Sequence, residues 1–262
     1  MSDNIKLLNG DEFKVSDIIP KMYDDVFYYG YLGKHALSSS SCKKLIESPK
    51  SYSASLTEPS SDSQPLRDGR LTHLCVLEPH RLEEFTFIEG TKASKNFKLA
   101  AEELGRDLVY TNLELNKANK IAKAVLANEE AAGLLSGCEF EIPAIGDFMG
   151  LPFRGKADAK KGRTIIDLKT TANIQDFAGK YGSAKKYSYD LQAALYLDLF
   201  DADNFIFLVV DKRTLDIGIY PVKINDGFIN AGMQKLQVAT DAYKNYIMSD
   251  YDLDQYTFYG EL

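Results

Sequence analysis

Cysteine is scarce in this chain, long apolar runs are absent, and each shortage closes off a class of protein. The 262 residues hold three scattered cysteines, Cys42, Cys75 and Cys138, with no Cys-x-x-Cys pair. That excludes a disulfide-framed scaffold, a structural zinc site and a four-cysteine iron–sulfur cluster, and leaves the thiols as small core side chains. No apolar stretch approaches the ~20 residues of a membrane-spanning helix, and the segment from Met1 to Lys6 lacks the basic and apolar regions of a secretion signal. The expectation is a cytoplasmic protein with no membrane partner. No internal repeat is visible, and no appended DNA-reading module stands out.

What is present is ordinary in amount and uneven in placement. Hydrophobic residues make up 45% and charged residues 26%, as in a soluble globular protein of one large or two small domains. The net charge is −7, yet residues 154–186 hold nine Lys or Arg and three Asp, while the remainder holds 22 basic and 35 acidic residues. A basic island in an acidic chain suits a protein that admits DNA at one place.

The densest chemistry lies inside that island, at residues 154–171. Asp158 ends one short segment, Lys160 to Gly162 reads as a turn, and Thr164 to Thr170 reads as a β-branched, apolar strand. Side chains alternate along a strand, so Asp167 and Lys169 share one face and Ile166 and Leu168 the other. A hairpin closed at the turn brings Asp158 to the same end of the sheet. Two carboxylates about 4 Å apart repel by roughly 4 kcal/mol at an effective dielectric near 20, unless a cation lies between them. Oxygen ligands in that arrangement suit Mg²⁺, with Mn²⁺ as a substitute, and Lys169 then stands beside the metal. The same residues also fit a plain hairpin with solvated charges, so the rest of the chain has to decide.

Taken in order, residues 1–36 read as an aromatic-rich N-terminal extension. A serine-capped helix is expected over 40–47, with Lys43 and Lys44 outward, then a serine-rich loop over 51–65 and a helix over 66–77 with Leu66 inward. A strand near 85–89 and a helix over 94–105 follow. Thr111-x-x-Glu114 is a capping box that opens a helix continuing to Gly137, with Lys117, Lys120 and Lys123 outward. Residues 138–142, 148–157 and 163–170 read as antiparallel strands with Gly146 and Gly162 near the turns. A polar connection leads to a helix over 187–200, on which Gln192 and Tyr196 lie one turn apart. Strands over 205–210 and 217–222 and a helix over 226–249 complete a main domain of residues 37–249, and 250–262 is an acidic tail. The order describes an α/β protein with a central mixed sheet flanked by helices.

These residues together resemble the PD-(D/E)xK nuclease superfamily, and more specifically the phage RecE-type exonucleases and the RecB nuclease domain. The likeness rests on Gly-x-Ala-Asp158, Ile-Ile-Asp167-Leu-Lys169-Thr-Thr and Tyr-Asp-Leu-Gln192-Ala-Ala-Leu-Tyr196. Ala36–Pro49 is similar to the opening helix of the RecE type, and Gly69-x-x-x-His73 to its next motif. The order agrees over residues 36–222. The first acid here follows Gly-Lys-Ala rather than proline, and the second is Asp where many members carry Glu.

The resemblance implies a restriction-endonuclease-like core and a Mg²⁺-dependent deoxyribonuclease. It makes His73, Asp158, Asp167 and the Leu168 carbonyl metal ligands and gives Lys169 a water-activating or phosphate-polarising role. Gln192 and Tyr196 would brace the site or hold a phosphate, and either Glu139 or Glu141 would add a further acid. Arg154, Lys156, Arg163, Lys180, Lys185 and Lys186 are candidates for backbone contacts with DNA. The likeness also implies 5′→3′ digestion of linear duplex DNA, leaving a 3′ strand for annealing-type recombination. A ring-like trimer or tetramer, a single-strand annealing partner and a phage origin, hence a host cytoplasm, are implied in the same way. Rival readings are a single-strand exonuclease of CRISPR-adaptation type, which typically carries the four cysteines missing here, an endonuclease of the same fold, and a DNA-binding subunit that has lost catalysis.

Overall fold

The run Asn-Phe-Ile-Phe-Leu-Val-Val-Asp at 204–211 has no polar face in its middle, and such a strand must be covered on both sides. In the computed structural model, which describes residues 3–57, 63–179, 181–249 and 251–259, it is the fourth strand of a five-stranded sheet. The strands run in chain order across the sheet: β1 (Glu139–Phe148), β2 (Leu151–Lys161), β3 (Thr164–Thr171), β4 (Asn204–Asp211) and β5 (Ile217–Lys223). β3 and β4 are parallel and the other neighbours antiparallel, so the expected mixed sheet is what forms.

Helices cover both faces. α1 (Ser39–Glu47), α4 (Tyr189–Leu199) and α5 (Gly227–Ala242) close the face that carries Ile165, Phe205, Phe207 and Val209. α2 (Gln64–Leu77) and α3 (Asn112–Ala127) close the face of Ile166, Leu168, Leu208 and Val210. α4 lies in the connection between the parallel strands β3 and β4, as such a pair requires. Among the described residues no helix is long and apolar enough to cross a membrane.

Local chemistry explains most boundaries. Ser38 opens α1 with a reciprocal capping box to Ser41, and Thr111 opens α3 with one to Glu114. Several expectations change. The loop expected over 51–65 does not start at 51: Ser48 recaps the chain and Pro49, at a position where a missing N–H costs nothing, starts a helix over Pro49–Ser55. α3 ends at Ala127, because Asn128 leaves helical geometry and caps Glu129–Leu135 through the Ala131 N–H. Leu66 is exposed: Pro65 sits in the first turn of α2, and the buried face runs through Arg67 and becomes apolar from Leu71.

The N-terminal segment forms a hairpin, Asn4–Lys6 with Glu12–Lys14, and short helical turns whose Ile5, Ile18, Met22, Tyr28 and Leu32 pack with Ile145 of β1. The free thiols of Cys42 and Cys75 are buried, and Cys138, half-buried, donates to the Leu134 carbonyl.

Candidate metal centre

The site begins where two strands part. β2 and β3 pair from Lys161↔Thr164 to Ala159↔Ile166, after a turn in which Gly162 takes φ +58°. The next step of the ladder is not made by backbone. The Asp158 carboxylate accepts the Leu168 N–H at 2.8 Å instead, and the His73 Nε2 lies 2.7 Å from the Leu168 carbonyl. Side chains thus occupy the gap that the missing strand contacts leave.

His73 reaches this gap from α2, with its Nδ1 3.4 Å from Asp158 Oδ2. If Nε2 donates to the Leu168 carbonyl, an unprotonated Nδ1 turns its lone pair toward a carboxylate oxygen. A proton or a cation between them relieves that repulsion.

Of Glu139 and Glu141, the fold brings Glu141 to the gap. β1 and β2 join through a two-residue turn, Met149–Gly150, both with positive φ, as a type I′ hairpin needs. The ladder pairs Phe140 with Ala159 and Ile142 with Ala157, so Glu141 faces Asp158 at the unpaired position between them. Glu141 holds φ +50°, a left-handed conformation that costs a non-glycine residue about 1–2 kcal/mol. Burial, with Asp158 and Glu78 nearby, pushes its carboxyl up to about 9. His73, Glu141 and Asp158 each offer a ligand atom within 4.8 Å of the others. Glu139 sits opposite Lys160, near the hairpin end, and is exposed.

Asp167 stands beside this trio and is 1% exposed. Its Oδ1 accepts from Gln192 Nε2 at 2.7 Å, and its Oδ2 lies 2.5 Å from the Lys169 ammonium at an angle that leaves the oxygen without a directed hydrogen bond. Burial raises the Asp167 carboxyl to about 6, against the pull of Lys169. Burial also works against charge on Lys169, but the Asp167 and Asp158 carboxylates outweigh it and hold the ammonium above its usual range. The buried Asp167 oxygen, paired with Lys169 but without a directed hydrogen bond, and the imidazole–carboxylate trio fit a divalent cation.

One turn of α4 past Gln192, the Tyr196 hydroxyl donates to the Lys156 carbonyl at 3.2 Å. Gly155 makes room for it: a Cβ there would stand 2.9 Å from Tyr196 Cε1. Tyr196 is buried and braces β2, and of the two roles open to the Gln-x-x-x-Tyr pair the geometry matches bracing.

The basic candidates divide. Arg154 is buried, bonded through Nε to the Leu32 carbonyl and stacked 4.3 Å from the Tyr28 ring centroid, so it is no surface contact. Lys156 points into the N-terminal segment, 3.1 Å from Asp25 and over Tyr28 and Tyr29. Arg163 lies at the hairpin tip and pairs with Asp201 and Asp203. A sequence does not show that Asp25 folds against Lys156 and Asp201 and Asp203 against Arg163, nor that a carbonyl and a ring bury Arg154. Lys185 and Lys186 are exposed, next to the exposed Tyr187. Lys180 lies outside the described residues.

Residues 38–252 match the model of a family described as a PDDEXK-like domain of unknown function (DUF3799). Among solved structures, a protein of Eubacterium rectale provisionally named as an exonuclease superposes with a TM-score of 0.60 at 18% identity, over 84% of this chain and 86% of that one. A phage-related exonuclease from Haemophilus somnus 129PT aligns at 16% identity over 81% of this chain and 95% of that one, with a TM-score of 0.37. No curated protein matches at a significant level. The first of these likenesses establishes the fold.

Proposed function

The chain belongs to the PDDEXK-like DUF3799 family, and from that premise we propose that it is a divalent-metal-dependent DNA exonuclease. The observation that carries the reading is the gap between β2 and β3. There three metal-type donors converge within 4.8 Å beside a buried Asp–Lys pair. A Mg²⁺ or Mn²⁺ ion held by His73, Glu141 and Asp158, with Asp167 at its side, would polarise a phosphate oxygen and lower the pKa of a bound water. The chain's own contribution is placement. Gln192 fixes one oxygen of Asp167, Asp167 fixes the Lys169 ammonium, and that ammonium is set to stabilise negative charge growing on the phosphate. Tyr196 holds β2, and with it Asp158, in register.

The substrate is linear duplex DNA, digested 5′→3′ to leave a 3′ strand for annealing. The resemblance to RecE-type enzymes supplies that polarity, together with a ring-like trimer or tetramer and a single-strand annealing partner. Duplexes labelled at either end, incubated with Mg²⁺, test the reading. Release of nucleotides from 5′ ends supports it, whereas nicking of closed circles, or no metal-dependent cleavage at all, sinks it. Asp167→Asn and Lys169→Ala should each abolish cleavage and leave low-salt DNA binding largely intact.

A further inference from the structure

One cation beside the site has no anion of its own. Lys43 is the fifth residue of α1, and the sequence places it outward with its neighbour Lys44. Lys44 is exposed, but Lys43 is half-buried against the site. Its ammonium lies 5.3 Å from the Tyr189 ring centroid, and the Lys169 ammonium lies 5.1 Å from the same ring. The two cations are therefore no more than about 10 Å apart.

The ionisable groups that act on Lys43 are Lys169, Asp167, Asp190 and Lys235. Both carboxylates are already engaged: Asp167 with Lys169 at 2.5 Å and Asp190 with Lys235 at 2.8 Å. Among the described residues Lys43 makes no ion pair, and its ammonium lies over the Tyr189 ring. A ring face offsets less than withdrawing an ammonium from water costs. Burial, reinforced by the Lys169 charge, brings its pKa down to about 8.

We propose that Lys43 anchors the substrate strand by binding a backbone phosphodiester one to three nucleotides from the bond cleaved beside Lys169. The inference rests on the nuclease reading above. Phosphates on one strand advance at least about 3.4 Å per nucleotide, so a ceiling of about 10 Å between the two ammoniums keeps the second contact within about three nucleotides of the first. The anchored group is an internal diester rather than a terminal phosphate. Lys43 is thus a positioning residue, acting before the chemical step.

The test compares the full-length protein with Lys43→Gln, Lys43→Arg and, as a control on the same helix, Lys44→Gln. The substrates are linear duplexes with 5′-phosphate or 5′-hydroxyl ends. Lys43→Gln should raise KM about tenfold on both ends alike, leave kcat within about twofold, and reduce the slope of log affinity against log salt by about one. Lys43→Arg should recover most of the loss, and Lys44→Gln should match wild type. A second arm needs no variant: a single neutral methylphosphonate, moved through the three linkages flanking the cut, should weaken wild-type binding at one linkage only. Lys43→Gln should be indifferent to it there. Wild-type KM and salt slope in Lys43→Gln, a loss confined to 5′-phosphorylated ends, or no methylphosphonate-sensitive linkage would each overturn the anchor while leaving the nuclease standing. No cleavage or binding of DNA by the wild-type protein would remove both.

Discussion

Replacing Arg67 with Met tests whether the helix that carries His73 is held by one buried ion pair. Arg67 and Glu114 are 3% and 7% exposed, and Nε lies 3.0 Å from Glu114 Oε1. The guanidinium also donates to the Val109 carbonyl at 2.6 Å and the Arg106 carbonyl at 3.1 Å, and it stacks 4.3 Å from the Tyr110 ring centroid. Met keeps much of the volume but leaves Glu114 buried with only Gln64 and Thr111 as partners. Breaking a buried pair from one side costs about 3–5 kcal/mol. For a chain of this size each kcal/mol moves Tm by about 2–4 °C, so the loss should be roughly 12 °C at neutral pH.

The pH dependence of that loss is the sharper check. Burial alone would raise the Glu114 carboxyl, but the hydrogen bonds from Arg67, Thr111 and Gln64 bring it down from 4.5 to about 2. A depressed acid stabilises the fold fully above its unfolded pKa and loses that contribution as pH falls through the folded one. The wild-type advantage should therefore be widest above about pH 5 and shrink as pH approaches 2. Melting curves by circular dichroism across that range measure it. A gap of under about 2 °C at neutral pH, or one that stays constant down to about pH 3, would refute the pair as the anchor of α2.

Two other substitutions probe packing and metal binding. Gly232→Ala would normally favour a helix by about 1 kcal/mol. Here the new Cβ would stand 2.1 Å from the Asp190 carbonyl oxygen where α5 crosses α4. Calorimetry should show a net loss of about 2 kcal/mol or more, and an unchanged or raised Tm would mean the two helices part freely. Glu141→Gln removes a half-buried carboxylate from the trio, so titration calorimetry should show Mn²⁺ affinity falling by about tenfold or more while the metal-free Tm holds or rises. Unaltered Mn²⁺ affinity would take Glu141 out of the ligand set.

The sequence disclosed what short-range physics controls. Ser38 and Thr111 mark helix starts because a capping side chain acts within three residues, and β4 is visible because an unbroken apolar run has few other uses. Asp167 and Lys169 share a face by alternation alone. What stayed hidden depends on longer-range counting. Putting the β1–β2 turn near Gly146 instead of at Met149–Gly150 shifts the register, so Asp158 had no defined partner. Counting back equally from the observed turn reaches Glu141 directly. The basic island lost cations for a related reason: Asp25, Asp201 and Asp203 are remote in sequence from Lys156 and Arg163 yet neutralise them. Lys43 was misread because helix periodicity describes one apolar stripe, and α1 is covered along a second flank by Tyr189.

Asp158 has two employers. Its Oδ2 stitches β3 to β2 through the Leu168 N–H, and the same atom faces His73 in the centre of the site. A substitution to alanine there removes a ligand and a stitch together, so loss of activity in that variant cannot be credited to chemistry alone. Asparagine keeps an acceptor for the N–H and separates the two duties. Asp167 has no comparable backbone bond, and the cleaner dissection of the site starts from it. A carboxylate that is part of the sheet's own seam also ties the two strands to whatever occupies the cavity, so the hairpin tip and the ligand are mechanically one unit.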